Sequence, residues 1–267
     1  MSEETTSEAP SIIPGAIRKA ASSIDGTVIW LYGEPKIGKT TFASMLEGVW
    51  FLATEKGQKF VDTREPTIVE NWRHFLEICN FIEEEKPTKF GDGGEIKVLC
   101  IDTLDLLFKM CQAKVCEDLG VTDPGELPHG KGWSKLSLEF ERVMSEIARW
   151  PYTLLCISHS RQKEFKTKGR SVDRYEPNIG AAGFRWGQSA ADLILYAHSN
   201  EVVQFDGEGN VTGEIQEQRA LLCHPQSWAV AGGRMVGKAG LPDVIPLDFN
   251  EFIKYFPGSG GNKKGKK

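Results

Sequence analysis

A chain of 267 residues with a formal net charge of −5 is long enough for one sizeable α/β domain with its own core or for two small ones, and one is expected. Its 40% hydrophobic and 26% charged content excludes a disordered or membrane-embedded class. The acidic balance also excludes attraction of nucleic acid by the molecule as a whole, so any such binding has to come from a local patch. No apolar run approaches the length of a bilayer span, and the opening MSEETTSEAP is acidic where a signal peptide is basic and then apolar. A cytoplasmic protein without a membrane partner is expected.

In chain order, residues 1–25 are rich in Ser, Glu, Thr, Ala and Pro and read as a flexible segment. A folded domain is expected over 26–257, followed by a flexible basic tail, 258–267, which carries Lys263, Lys264, Lys266 and Lys267. Five apolar runs read as buried strands: Thr27 to Tyr32, Val49 to Ala53, Lys97 to Ile101, Tyr152 to Ser158 and Asp192 to Ala197. Between them lie stripes of helical period: Trp72, Phe75, Leu76, Cys79 and Ile82; Leu104, Leu107, Phe108, Cys111 and Val115; Leu136, Phe140, Val143 and Ile147. Alternation of strand and helix implies an α/β fold, a mostly parallel sheet with helices on both faces. After Ala197, EVVQFDGEGNVTGEI carries hairpin turn signals and RALLCHP reads as another strand, which makes a C-terminal β-hairpin extension. The six cysteines show no paired CxxC spacing and read as buried free thiols.

The strongest motif is GEPKIGKT, followed by Thr41. Here Gly33, Glu34, Pro35, Lys36, Ile37 and Gly38 form a loop whose backbone N–H groups turn around phosphate oxygens. Lys39 reaches the β and γ phosphates, and Thr40 is a magnesium ligand. A chance match in a Gly-rich turn is the competing reading, and the strand TVIWLY before the loop and the run TFASMLEG after it speak against that. The strand VLCID ends in Asp102, the acidic residue that such a site needs for its magnesium. Hydrolysis also needs a group to orient or deprotonate water. Glu55, after the strand VWFLAT, suits that role, the alternative being an ordinary surface glutamate. His159, after YTLLCIS, is placed to sense the γ phosphate, or is a plain strand-end histidine.

The order of GEPKIGKT, ATEKG, VLCIDT, LLCISHS and GGRMVGKAGLPDVIPLDF resembles the RecA-like P-loop NTPases, most closely the phage-encoded recombination ATPases of the Sak type, over about Gly26 to Phe256. The resemblance implies a twisted sheet in the order 5-1-4-3-2, with Glu55 and Asp102 on adjacent strands. It also implies an ATP- and Mg2+-dependent ATPase that acts on single-stranded DNA in recombination, annealing or repair. Self-association into a ring or filament follows from the same resemblance, and a single-strand-binding protein is a candidate partner.

RecA-like proteins face DNA with two loops, which correspond here to Gly120–Trp133 and to the region from Ser160 to Trp186. The second holds Arg161, Lys163, Lys166, Lys168, Arg170, Arg174 and Arg185, interleaved with Phe165, Tyr175, Phe184 and Trp186. Cations neutralise phosphates and rings stack on unpaired bases. A solvated charged loop whose aromatics cap the core is the competing reading. From the late segment, Arg234 and Lys238 are expected by resemblance to reach the nucleotide of an adjacent subunit, against an ordinary role as solvated turn residues. Two other functions stay open: a nucleotide-gated protein-interaction switch without DNA, and a P-loop phosphotransferase, for which no lid signature is seen.

Overall fold

The computed structural model describes residues 22–167, 170–205, 211–234 and 240–259. Lys168, Lys238 and the four lysines of the tail lie outside the described residues, as do the side chains of Lys166 and Arg170.

Among the described residues ten strands, β1 (Val28–Gly33), β2 (Val49–Ala53), β3 (Thr67–Ile68), β4 (Val98–Asp102), β5 (Thr153–Thr167), β6 (Arg170–Pro177), β7 (Leu193–Phe205), β8 (Val211–Leu222), β9 (Gly232–Gly233) and β10 (Val244–Pro246), are interspersed with six α-helices. The helices are α1 (Lys39–Ser44), α2 (Trp72–Glu85), α3 (Leu104–Leu119), α4 (Lys131–Ile147), α5 (Ala181–Ala190) and α6 (Phe249–Ile253). The sheet runs β10-β8-β7-β1-β5-β4-β2-β3, with β6 on β5 and β9 on β7. Its middle, β7-β1-β5-β4-β2, is parallel throughout, and these are the five runs expected as strands, in the order 5-1-4-3-2.

All six residues of β1 are buried, which explains why its sequence is continuously apolar rather than alternating. Alternation reappears in what each residue meets. Val28 and Trp30 pack with α2, α3, α4 and α5, whereas Ile29 and Leu31 pack with Phe42 and Ala43 of α1 and Phe252 of α6. Successive side chains point to opposite faces of a strand, so the core is two layers separated by the sheet. Cys79, Cys100, Cys111, Cys116, Cys156 and Cys223 are all buried and free. Among the described residues no helix is long and apolar enough to cross a membrane.

Three expectations need correction. The stretch from Ser160 to Trp186 is not a loop: β5 continues to Thr167 and folds back as β6, pairing Ser160 with Pro177 and Thr167 with Arg170, and α5 follows. Likewise β7 does not stop at Ala197 but runs on to Phe205 and pairs with β8 as one long antiparallel hairpin, Tyr196 facing Leu222. Both strands outrun the sheet because pairing with their own return strand satisfies backbone groups that no core neighbour reaches. The folded part also extends further than 26–257. Ile24 is buried, the Gly258 N–H donates to the Ser22 carbonyl at 2.9 Å, and the Ile24 N–H donates to Ser259 Oγ at 2.9 Å.

Candidate nucleotide site

Chain direction places the site. Parallel strands present all their C-terminal ends on one edge, and β1 ends there at Gly33, level with His159 of β5 and Ala197 of β7. The next five residues form the loop, in which Lys36 (φ 67°) and Gly38 (φ 114°) take the left-handed region, and α1 begins at Lys39. A side chain on Gly33 would meet the Ala197 carbonyl oxygen at 2.3 Å, so only glycine fits where the strand turns into the loop.

Lys39 is 6% exposed, and its ammonium donates to the carbonyls of Gly33 at 2.9 Å and Glu34 at 2.7 Å. Burial holds its pKa below the ordinary lysine value, while Asp102, Asp105, Glu55 and Glu34 pull it back up. The loop therefore keeps a desolvated cation over itself, which strengthens its attraction for phosphate oxygens.

Asp102 is 2% exposed and accepts from Thr40 Oγ1 at 3.0 Å and from Gln58 Nε2 at 2.9 Å. Burial raises its pKa, aided by the charge of Glu55 and opposed by the bonds from Thr40 and Gln58 and by Lys39. A hydroxyl and a buried carboxylate in contact form a hard oxygen pair that fits Mg2+, which takes one or two protein ligands and completes its shell with water and phosphate oxygens. Among the described residues no group of three or more His, Cys, Asp or Glu forms a metal cluster.

Glu55 is half-buried two residues past the end of β2, where Ala53 lies beside Asp102. Its charge acts on Lys39, Asp102 and His159, so the structure brings these four together. His159 Nδ1 lies 3.0 Å from Asp105 Oδ2, and the His159 backbone N–H donates to Asp105 Oδ1 at 3.1 Å. That hydrogen bond raises the imidazole pKa, against burial and the charge of Lys39 and with help from Glu55. The carboxylate holds Nδ1, fixes the ring orientation and favours the imidazolium, which leaves the Nε2–H as the donor for a phosphate oxygen.

Sequence reading missed two members of this site. Asp105 is 3% exposed in the first turn of α3, and Gln58 is 7% exposed; the signals were the second carboxylate in IDTLD and the Gln in ATEKGQ.

The other expected site residues lie apart. On the β5–β6 hairpin, Arg161 donates to Glu176 Oε1 through Nε at 2.9 Å and Nη2 at 2.7 Å, and Lys163 Nζ lies 3.7 Å from the same oxygen. Arg174 and Lys163 stand over the Phe165 ring at 5.8 and 5.4 Å. Trp186 is buried and Phe184 packs on the core, so these two rings are structural. Arg234 pairs with Asp192 at 3.1 Å and donates to the Ser189 carbonyl. Asp192 also accepts from the Val28 N–H at 2.9 Å, which places Arg234 at the N-terminal edge of the parallel strands, away from its own chain's loop.

A family model described as an AAA domain matches residues 25–235. A curated relative, the SPbeta prophage-derived uncharacterized protein YorG of Bacillus subtilis (strain 168), is 22% identical over 185 residues. The match covers 68% of this chain and 54% of that protein, so the chain spans about half of the relative's length. Among crystal structures, a KaiC-like protein of the hyperthermophilic archaeon Pyrococcus horikoshii OT3 is similar at a TM-score of 0.39 and 14% identity, over 74% of this chain and 79% of that one. With the family model covering most of the sequence, and with the phosphate loop, its lysine and the buried aspartate in place, the chain belongs to the AAA-domain family of P-loop ATPases.

Proposed function

We propose that this chain is an ATP- and Mg2+-dependent ATPase that binds single-stranded DNA and acts in recombination, annealing or repair, on the pattern of the phage-encoded Sak-type proteins. Lys39 and the loop amides hold the phosphates, and Thr40 and Asp102 hold the magnesium, which supplies charge neutralisation at the β and γ phosphates. Glu55 orients and deprotonates the attacking water, and His159, positioned by Asp105, meets the γ phosphate.

The observation that carries the DNA reading is the continuity of β5. The strand runs without a break from His159 into Arg161 and Lys163, two and four residues away, so a change at the histidine on hydrolysis moves the root of a cationic hairpin. The prophage origin of the relative supports the same reading. The pairing of Arg161 and Lys163 with Glu176 favours a second one, a nucleotide-gated switch for a protein partner, because those charges are already partly neutralised.

Replacing Lys163, Lys166 and Lys168 together by Ala separates the two readings, with Arg161 kept so that the buried Glu176 retains its partner. Single-strand affinity is expected to fall, and the slope of log affinity against log salt to drop by about 2, since each lost phosphate contact removes about 0.7. Affinity and slope unchanged from the parent protein support the protein-partner reading instead.

A further inference from the structure

Arg219 is a further cation at the phosphate loop, outside the loop's own sequence and on the opposite flank from the acidic residues. It lies on β8 paired with Ser199 of β7, while β7 is level with β1 at Ala197 and Gly33. Ser199 is two residues beyond Ala197, so Arg219 stands above the sheet edge at the height of the loop. Its face is set by period-two alternation: Leu221 and Cys223 pack with Ile37, Phe42 and Ala43, and Arg219 shares their side of the sheet. A Cβ placed on Gly38 would lie 3.5 Å from Arg219 Nη1 and 3.6 Å from Leu247 Cδ2, so the guanidinium and this leucine border the loop together. The Leu247 N–H donates to the Arg219 carbonyl at 3.0 Å, which ties the two side chains to one scaffold. Arg219 is exposed, and among the described residues no ion pair or hydrogen bond of its guanidinium is seen.

The bound nucleotide has a direction at this loop. Asp102, Glu55 and His159 lie on or beyond β5, β4 and β2, on one side of β1, and mark the terminal phosphate and its magnesium. The nucleoside end then points the other way, over β7 and β8. We propose that Arg219, with Leu247 beside it, holds the ribose and base of the nucleotide bound by its own chain, the guanidinium plane lying on the base and the leucine closing the apolar edge. A planar cation suits this contact and a lysine does not, because the ammonium has no flat face to lay on a ring. The inference rests on the nucleotide site described above and deepens it.

The test is calorimetric titration of the full chain with Mg-ATP and, separately, with Mg-tripolyphosphate, which has the phosphates and no nucleoside. Arg219→Ala and Arg219→Lys are each expected to weaken ATP by about tenfold and to change tripolyphosphate by less than about twofold, at an unchanged thermal midpoint. Lys39→Ala, run in parallel, loses both ligands. An unchanged ATP affinity in Arg219→Ala overturns the proposal while the Lys39 result leaves the phosphate loop standing. Equal weakening of ATP and tripolyphosphate also overturns it, since Arg219 then acts on phosphate charge alone. Parental protein that binds neither ligand defeats the nucleotide site itself and this inference with it.

Discussion

Lys39→Ala is expected to lose Mg-ATP affinity by at least about 100-fold and to lose hydrolysis with it. The magnitude follows from charge-assisted hydrogen bonds of roughly 1.5–3 kcal/mol each, two of which the buried ammonium can exchange from the Gly33 and Glu34 carbonyls to phosphate oxygens. Removing the ammonium leaves those carbonyls facing an anionic ligand, which adds repulsion to the lost attraction. The fold is expected to survive, because the loop is held by the passage of β1 into α1 rather than by this side chain. Titration with Mg-ATP checks it, and affinity within about threefold of the parent contradicts the assignment of the loop.

Glu55→Gln is expected to separate binding from chemistry. The amide keeps the shape of the carboxylate but cannot take a proton from water, so hydrolysis should fall by about 100- to 10,000-fold. Binding should hold or strengthen slightly, since the substitution removes a negative charge that acts on Asp102 beside an anionic ligand. The measurement is single-turnover hydrolysis alongside equilibrium binding of Mg-ATP. A parental rate in this variant moves the role of base to another residue, and the buried Asp105 is the next carboxylate in reach of the same histidine.

The parts of this site that were legible in the sequence are those whose signal is local. The phosphate loop is eight contiguous residues between an apolar strand and a helix, and Asp102 closes a strand buried at all five positions. Asp105 was not legible because its partner is 54 residues away and because it falls between Leu104 and Leu107 in a stripe that reads as helix core. Gln58 was hidden for the same reason, its contact with Asp102 spanning 44 residues.

The hairpin of β5 and β6 escaped because strand recognition rests on one apolar face. Arg161, Gln162, Lys163 and Glu164 are polar in succession, and the pairing that makes them strand is satisfied by the equally polar Asp173, Arg174 and Glu176 across the ladder. Ile24 was lost to composition in a different way. A single apolar residue among Ser and Asp reads as linker, yet it packs against the core that contains Phe252 and Phe256 from the far end of the chain.

Hydrolysis of ATP with and without single-stranded DNA across a salt series tests the proposed coupling between the nucleotide site and the cationic hairpin. A magnesium-dependent rate is expected that single strands raise at low salt, with the stimulation fading as salt releases the DNA and the DNA-free rate much less affected. A rate that is the same with and without DNA at every salt concentration contradicts it.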